Sequence, residues 1–144
     1  MKPTYKLMLD EVKLAAAAAE AEAIANGWAV SIALCDAGGH ALWLQRMDGA
    51  PLMSAAVAPE KARTCVLSGK PSKAFEDMVN NGRFAALAMP VVPLEGGEPI
   101  VIGDHVIGAV GVSGVKAGED AQVARAAISA LLAHLARTNP ENAA

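Results

Sequence analysis

Hydrophobic and polar positions alternate with two different periods along this chain, and the switches between them mark the elements. Residues 8–26 carry Met8, Val12, Ala15, Ala19 and Ala23 at three- and four-residue spacing, which predicts a helix with one apolar face. The alanine run from Ala15 to Ala19 has the highest helix propensity available, and Asn26-Gly27 stops the helix. Residues 28–35 read as a strand and Asp36-Ala37-Gly38-Gly39 as a turn. His40 to Met47 returns as a second strand, so residues 28–47 form a β-hairpin.

Residues 52–68 read as helical except at Pro59, which either kinks the helix or opens a second helical piece. A further helix is expected from Ser72 to Asn80, closed by Asn81-Gly82. Short strands follow at Val91-Val92, at Ile100-Val101-Ile102 and from His105 to Val112, with Glu95-Gly96-Gly97-Glu98-Pro99 as a turn between the first two. In the last strand Ile107, Ala109 and Gly111 alternate with Val106, Gly108, Val110 and Val112. One face of it is nearly flat, and another backbone or a ligand can approach it closely. Residues 118–137 form a helix, with Val123, Ala127, Leu131 and Leu135 on one stripe, Glu119 and Asp120 at its positive end and Arg137 at its negative end. Asn139 to Ala144 reads as a frayed tail.

The order is helix, two strands, helices, three strands, helix. Short turns between strands imply antiparallel pairing, and a doubly wound parallel sheet would need a helix crossover after each strand. The expected class is α+β, with about five antiparallel strands flanked by helices. The length of 144 residues fits one domain, spanning 1–144 with its core at about 8–137. Such a chain buries roughly two-thirds of its unfolded surface.

Composition narrows the function. The net charge is −3, there is no basic stripe, and aromatic residues make up 3% of the chain, so a nucleic-acid partner is not expected. No apolar run approaches the roughly 20 residues of a membrane span, and the first residues lack a signal-peptide pattern. A cytoplasmic protein is expected, with Cys35 and Cys65 as buried free thiols. His40, His105 and His134 are far apart and no C-x-x-C or H-x-x-x-H spacing occurs, so no metal site is expected. Gly108, Gly111 and Gly114 do not make a dinucleotide fingerprint, and Ser113 is not in a nucleophile elbow.

Several motifs in order resemble a known family. Val30 to His40 with Arg46-Met47-Asp48-Gly49-Ala50 is similar to the first hairpin of the GlcG/HbpS-like haem-degrading domain family, shared with the C-terminal domain of PduO-type proteins. Lys61-Ala62-Arg63-Thr64 resembles its K-A-x-T helix, and Gly96-Gly97-Glu98-Pro99-Ile100 its G-G-x-P turn. Ile107 to Gly114 resembles its glycine-rich strand, and Asp120 its acidic position. The resemblance implies a profilin-like fold and a homo-oligomer, from dimer to octamer. It also implies a small-molecule ligand, with haem or a related tetrapyrrole first, bound or degraded. Pro59 departs from the pattern.

Candidate residues follow from side-chain chemistry. His40, beside a turn, and Glu98 are the candidate catalytic groups, and His40 is also a candidate axial ligand alongside His105, Met47 and Cys65. Arg46 can clamp a carboxylate or propionate, or can pair with Asp48 or Glu60. Asp48, Lys61, Thr64, Gly96 and Gly97 complete the candidate ligand contacts, although Lys61 can equally serve in a salt bridge and Gly96-Gly97 in a plain turn. Two other functions fit these residues. One is a cofactor-independent catabolic enzyme acting on a small carboxylated metabolite, and the other is an accessory structural oligomer.

Overall fold

Two flat strands and a run of small residues govern how this chain packs. The computed structural model describes residues 1–138. The frayed tail expected at 139–144 lies outside them. Helix α1 (Leu9–Ala25) leads into the hairpin β1 (Ser31–Asp36) and β2 (Ala41–Arg46). Helices α2 (Ser54–Ser68) and α3 (Lys73–Asn80) and a short 3-10 turn (Phe84–Ala88) follow. The hairpin β3 (Gly97–Ile102) and β4 (His105–Ser113) and the long helix α4 (Ala117–Thr138) complete the described chain.

The strands form one antiparallel sheet in the order β2-β1-β4-β3, so β1 and β4 are central and β2 and β3 are edges. Ser31 pairs with Ser113 and Asp36 with Gly108 across the centre. The sheet has four strands rather than about five. Val91-Val92 does not form a strand, because Pro90 and Pro93 flank it and the Val92 N–H donates to Thr64 Oγ1 (2.9 Å) instead of to a ladder. The segment Glu95–Pro99 is a turn only at its start, since Gly97, Glu98 and Pro99 already belong to β3.

Helices α1 and α4 cover one face. Val12, Ala15, Ala19 and Ala23 of α1 and Val123, Ala127 and Leu131 of α4 pack with Ile32, Leu34, Val110 and Val112 of the central strands. Met8 was expected on the buried stripe. It lies just before the helix and is 58% exposed, while Leu7 is buried in its place. On the other face α2 lies across the sheet, with Ala62 and Cys65 against Cys35 and Ala109.

The approach of α2 is close. A Cβ at Gly111 would collide with the Ala58 carbonyl oxygen, and one at Gly97 with the Lys61 carbonyl oxygen. The flat strand face therefore receives a helix backbone. This seating also explains Pro59. The residue sits inside one continuous helix and does not open a second one. It removes one intrahelical hydrogen bond, while Ala58, Lys61, Ala62 and Cys65 hold the helix against the sheet on both sides of it.

Candidate functional site

The turn between β1 and β2 is built by Asp36. Its Oδ1 accepts hydrogen bonds from the backbone N–H of Gly38 (2.9 Å) and of His40 (3.0 Å). These bonds, that from His40 foremost, hold the Asp36 carboxyl below the usual carboxylate range. Gly39 has φ +84°, and a side chain there would press on the stem of Arg63 from α2, so the turn rests on that helix. His40 emerges from this frame with its side chain 83% exposed and its Nδ1 3.4 Å from Asp36 Oδ1. Nδ1 is held toward a carboxylate, which leaves Nε2 as the free ring nitrogen.

Arg46 and Asp48 lie at the other end of β2, both exposed. Five residue steps separate Ala41 from Arg46, which is about 17 Å of strand. His40 and Arg46 therefore do not converge on one small ligand within a single chain. Arg46, Met47 and Asp48 join Glu20 and Gln45 around an open recess of about 360 Å³.

Lys61 points inward. Its Nζ donates to Asp120 Oδ2 (3.0 Å) and to the Val112 carbonyl (2.9 Å), with both charged side chains 3% exposed. Asp120 Oδ1 accepts the Val115 N–H (3.1 Å). Of the two roles expected for Lys61, the geometry places it in the salt bridge. Thr64 is likewise enclosed, donating to the Glu60 carbonyl (2.8 Å) and accepting from the Val92 N–H.

Gly96 and Gly97 are buried beside this pair. The Gly97 N–H donates to Ser72 Oγ (2.8 Å), and the Gly96 carbonyl accepts the Val112 N–H (3.0 Å). Gly96 has φ +131°, and a Cβ there would lie 2.7 Å from Lys61 Nζ. The turn closes over the ion pair, and Gly96 is required by that contact, whereas Gly97 is required by the close approach of the α2 backbone.

Glu98 sits on the edge strand β3, with β4 between it and the His40 hairpin. Its carboxylate, 16% exposed, meets Arg125 of α4 at 3.3 Å. Burial pushes its pKa above the usual range, against the pull of Arg125. His40 and Glu98 are thus two separate groups in one chain. Of the other candidate iron ligands, Cys65 is fully buried with its thiol pushed up to about 12, which removes it from contact with an external group. His105 Nε2 lies 3.3 Å from Asp104, and Met47 is half-buried at the recess.

Two residues escape a reading of the sequence, and a third is named there without its partner. Asp120 looks like a helix-start acid, and its role as the Lys61 partner is invisible without the fold. Glu20 and Gln45 come together from α1 and β2 (3.2 Å), and the one local signal is a carboxylate that closes an alanine run.

Among the described residues no group of three or more His, Cys, Asp or Glu is placed to hold a metal ion, and no helix is long and apolar enough to cross a membrane.

Known proteins resemble this arrangement along most of the chain. The protein GlcG of Escherichia coli is 50% identical over 98 residues, covering 67% of this chain and 73% of its own. The protein ORFY of Klebsiella pneumoniae has a crystal structure that matches with a TM-score of 0.83 at 27% identity, covering 91% of this chain and 94% of that one. The structure of PduOC in complex with haem matches with a TM-score of 0.80 at 28% identity, covering 88% and 95%. The family model of the haem-degrading proteins, HbpS-like, matches residues 7–129, and the chain belongs to that family.

Proposed function

We propose that this chain is a cytoplasmic binder of haem or a related tetrapyrrole, working as a homo-oligomer, with His40 as the axial ligand. The exposure of the His40 imidazole in a chain of the haem-degrading family carries the reading. Nδ1 faces Asp36 and Nε2 is free, the arrangement in which a neighbouring carboxylate orients a histidine for metal ligation. Arg63, whose stem packs over Gly39, brings an exposed cation to the same turn and would meet a propionate. Haem, when bound, would supply an iron centre, and His40 is the residue that would hold it.

The shape of the chain favours an oligomer in this reading. The apolar cavity between the hairpin and α2, lined by Trp43, Leu44 and Pro59, measures about 50 Å³. That volume does not enclose a macrocycle, so the ring would lie against the surface and a second copy would cover it. Absorbance titration with haem tests the reading, and size-exclusion chromatography with and without haem tests the oligomer.

A second reading is a cofactor-independent enzyme acting on a small carboxylated metabolite. Arg46 favours it, standing exposed at the rim of a polar recess large enough for such a ligand. His40 and Glu98 would move protons only as separate groups, since β4 lies between the His40 hairpin and the strand of Glu98.

A further inference from the structure

The recess between α1 and the end of β2 has charges of both signs on its wall, and they do not cancel one another. Arg46 brings one cation, and Glu20 and Asp48 bring two carboxylates. Among the described residues none of the ion pairs includes any of the three. Exposed charges gain little by pairing with one another, so these three remain available to a ligand.

One of the carboxylates is held in place. The Trp43 indole N–H donates to Gln45 Oε1 (2.9 Å), which fixes the orientation of the Gln45 amide. Gln45 Nε2 then donates to Glu20 Oε2 (3.2 Å), across from β2 to α1. Both bonds are partly buried. Glu20 is therefore pre-oriented at the recess by a two-bond chain, with Oε1 left to accept from a ligand. A held acceptor loses little freedom on binding, which favours a specific ligand over a diffuse ion cloud.

The volume of about 360 Å³ falls within the range of about 300–1,000 Å³ typical of small-molecule sites. The lining is mostly polar, which suits a small charged ligand.

We propose that this recess binds a small zwitterion of the amino-acid class, with its carboxylate on Arg46 and its ammonium on Glu20 and Asp48. Two carboxylates against one guanidinium favour a ligand with more than one cationic group, so a basic amino acid is the preferred member. The inference rests on the carboxylate reading of Arg46 and is independent of haem.

The Trp43 indole is a built-in reporter, because its N–H begins the chain that ends on Glu20, and the Trp28 indole serves as the control. The experiment is a titration of the full, isotope-labelled chain with lysine, followed through the two indole cross-peaks. The same titration is repeated with cadaverine, which lacks the carboxylate, and with hexanoate, which lacks both ammonium groups. Lysine should shift the Trp43 peak saturably in the millimolar range and leave Trp28 still. Cadaverine should bind roughly tenfold more weakly, as for the loss of one charge-assisted contact, and hexanoate, which loses two, more weakly still. Glu20→Gln should weaken lysine and cadaverine but not hexanoate, and Arg46→Gln should weaken lysine and hexanoate but not cadaverine. Retained peak dispersion in each variant establishes that it folds.

If hexanoate binds as tightly as lysine and loses affinity in Arg46→Gln, the carboxylate reading stands and the zwitterion inference is overturned. If cadaverine matches lysine and Arg46→Gln changes nothing, the recess is only an acidic surface and the inference fails. No saturable shift with any of the three overturns both.

Discussion

Lys61 on α2 and Asp120 on α4 meet at 3.0 Å beneath the Gly96 turn, each out of contact with water. The pair ties together three parts of the chain: the helix on one face of the sheet, the helix on the other and the end of β4. A buried ion pair of this kind is costly to break from one side only, because the remaining charge stays buried.

Lys61→Met should therefore cost about 3 kcal/mol or more of stability, as should removal of the Asp120 charge by Asp120→Asn. The double variant Lys61→Met/Asp120→Asn removes both charges and keeps an acceptor for the Val115 N–H. It should be more stable than Lys61→Met by about 1 kcal/mol or more. Urea unfolding of the three variants measures this, and simple additivity of the two losses would contradict a coupled pair.

The seat of α2 gives a contrasting pair of glycine substitutions. Gly111→Ala places a Cβ into the Ala58 carbonyl and should cost about 3 kcal/mol, because the opposing atom is helix backbone and cannot turn aside. Gly118→Ala, in the first turn of α4 with no atom within 4 Å of the added carbon, should stabilise by about 0.5–1 kcal/mol. Thermal unfolding reads both, and equal effects would mean that α2 does not lie so close to the sheet.

These contacts show what a reading of the sequence reaches. The stripe Val123, Ala127, Leu131, Leu135 marks α4 and its buried face directly, because helical periodicity is local. Asp36-Ala37-Gly38-Gly39 marks the hairpin for the same reason: the side chain of Asp36 bonds within its own turn. Gly111 signalled a close approach, though not which backbone would make it. Val91-Val92 misled, since β-branched residues favour a strand while two flanking prolines and Thr64 take the segment out of any ladder. The partners Lys61 and Asp120 are 59 positions apart, and Glu20 and Gln45 are 25 apart on different elements. Nothing in local spacing joins such residues, which is why Lys61 reads as a candidate ligand contact until the fold is known.

Glu98 should leave a signature in the pH dependence of stability. Burial raises its folded pKa above the unfolded value, so the folded chain holds this proton more tightly. The stability it contributes is complete below the ordinary glutamate pKa and is lost as pH rises through the folded value. Glu98→Gln should remove that decline, flattening the melting temperature across mildly acidic pH. An unchanged profile in the variant would show that Arg125 cancels the effect of burial.

The two thiols should be silent in the folded chain. Burial pushes Cys35 to about 11 and Cys65 to about 12, so neither is a thiolate near neutrality. An aromatic disulfide reagent at mildly alkaline pH should find no reactive thiol in the native protein and both after unfolding in urea. Rapid reaction of either one in the native state would place that cysteine at an accessible site.

The central claim concerns His40, and haem titration of the purified apo-protein followed by absorbance tests it most directly, with His40→Ala beside the parent. His40 is exposed and packs no core, so the variant should keep the parent's stability. The account predicts a saturable, stoichiometric Soret change in the parent that is lost or strongly weakened in His40→Ala. A flat or non-saturating response, or a variant that binds like the parent, would contradict it.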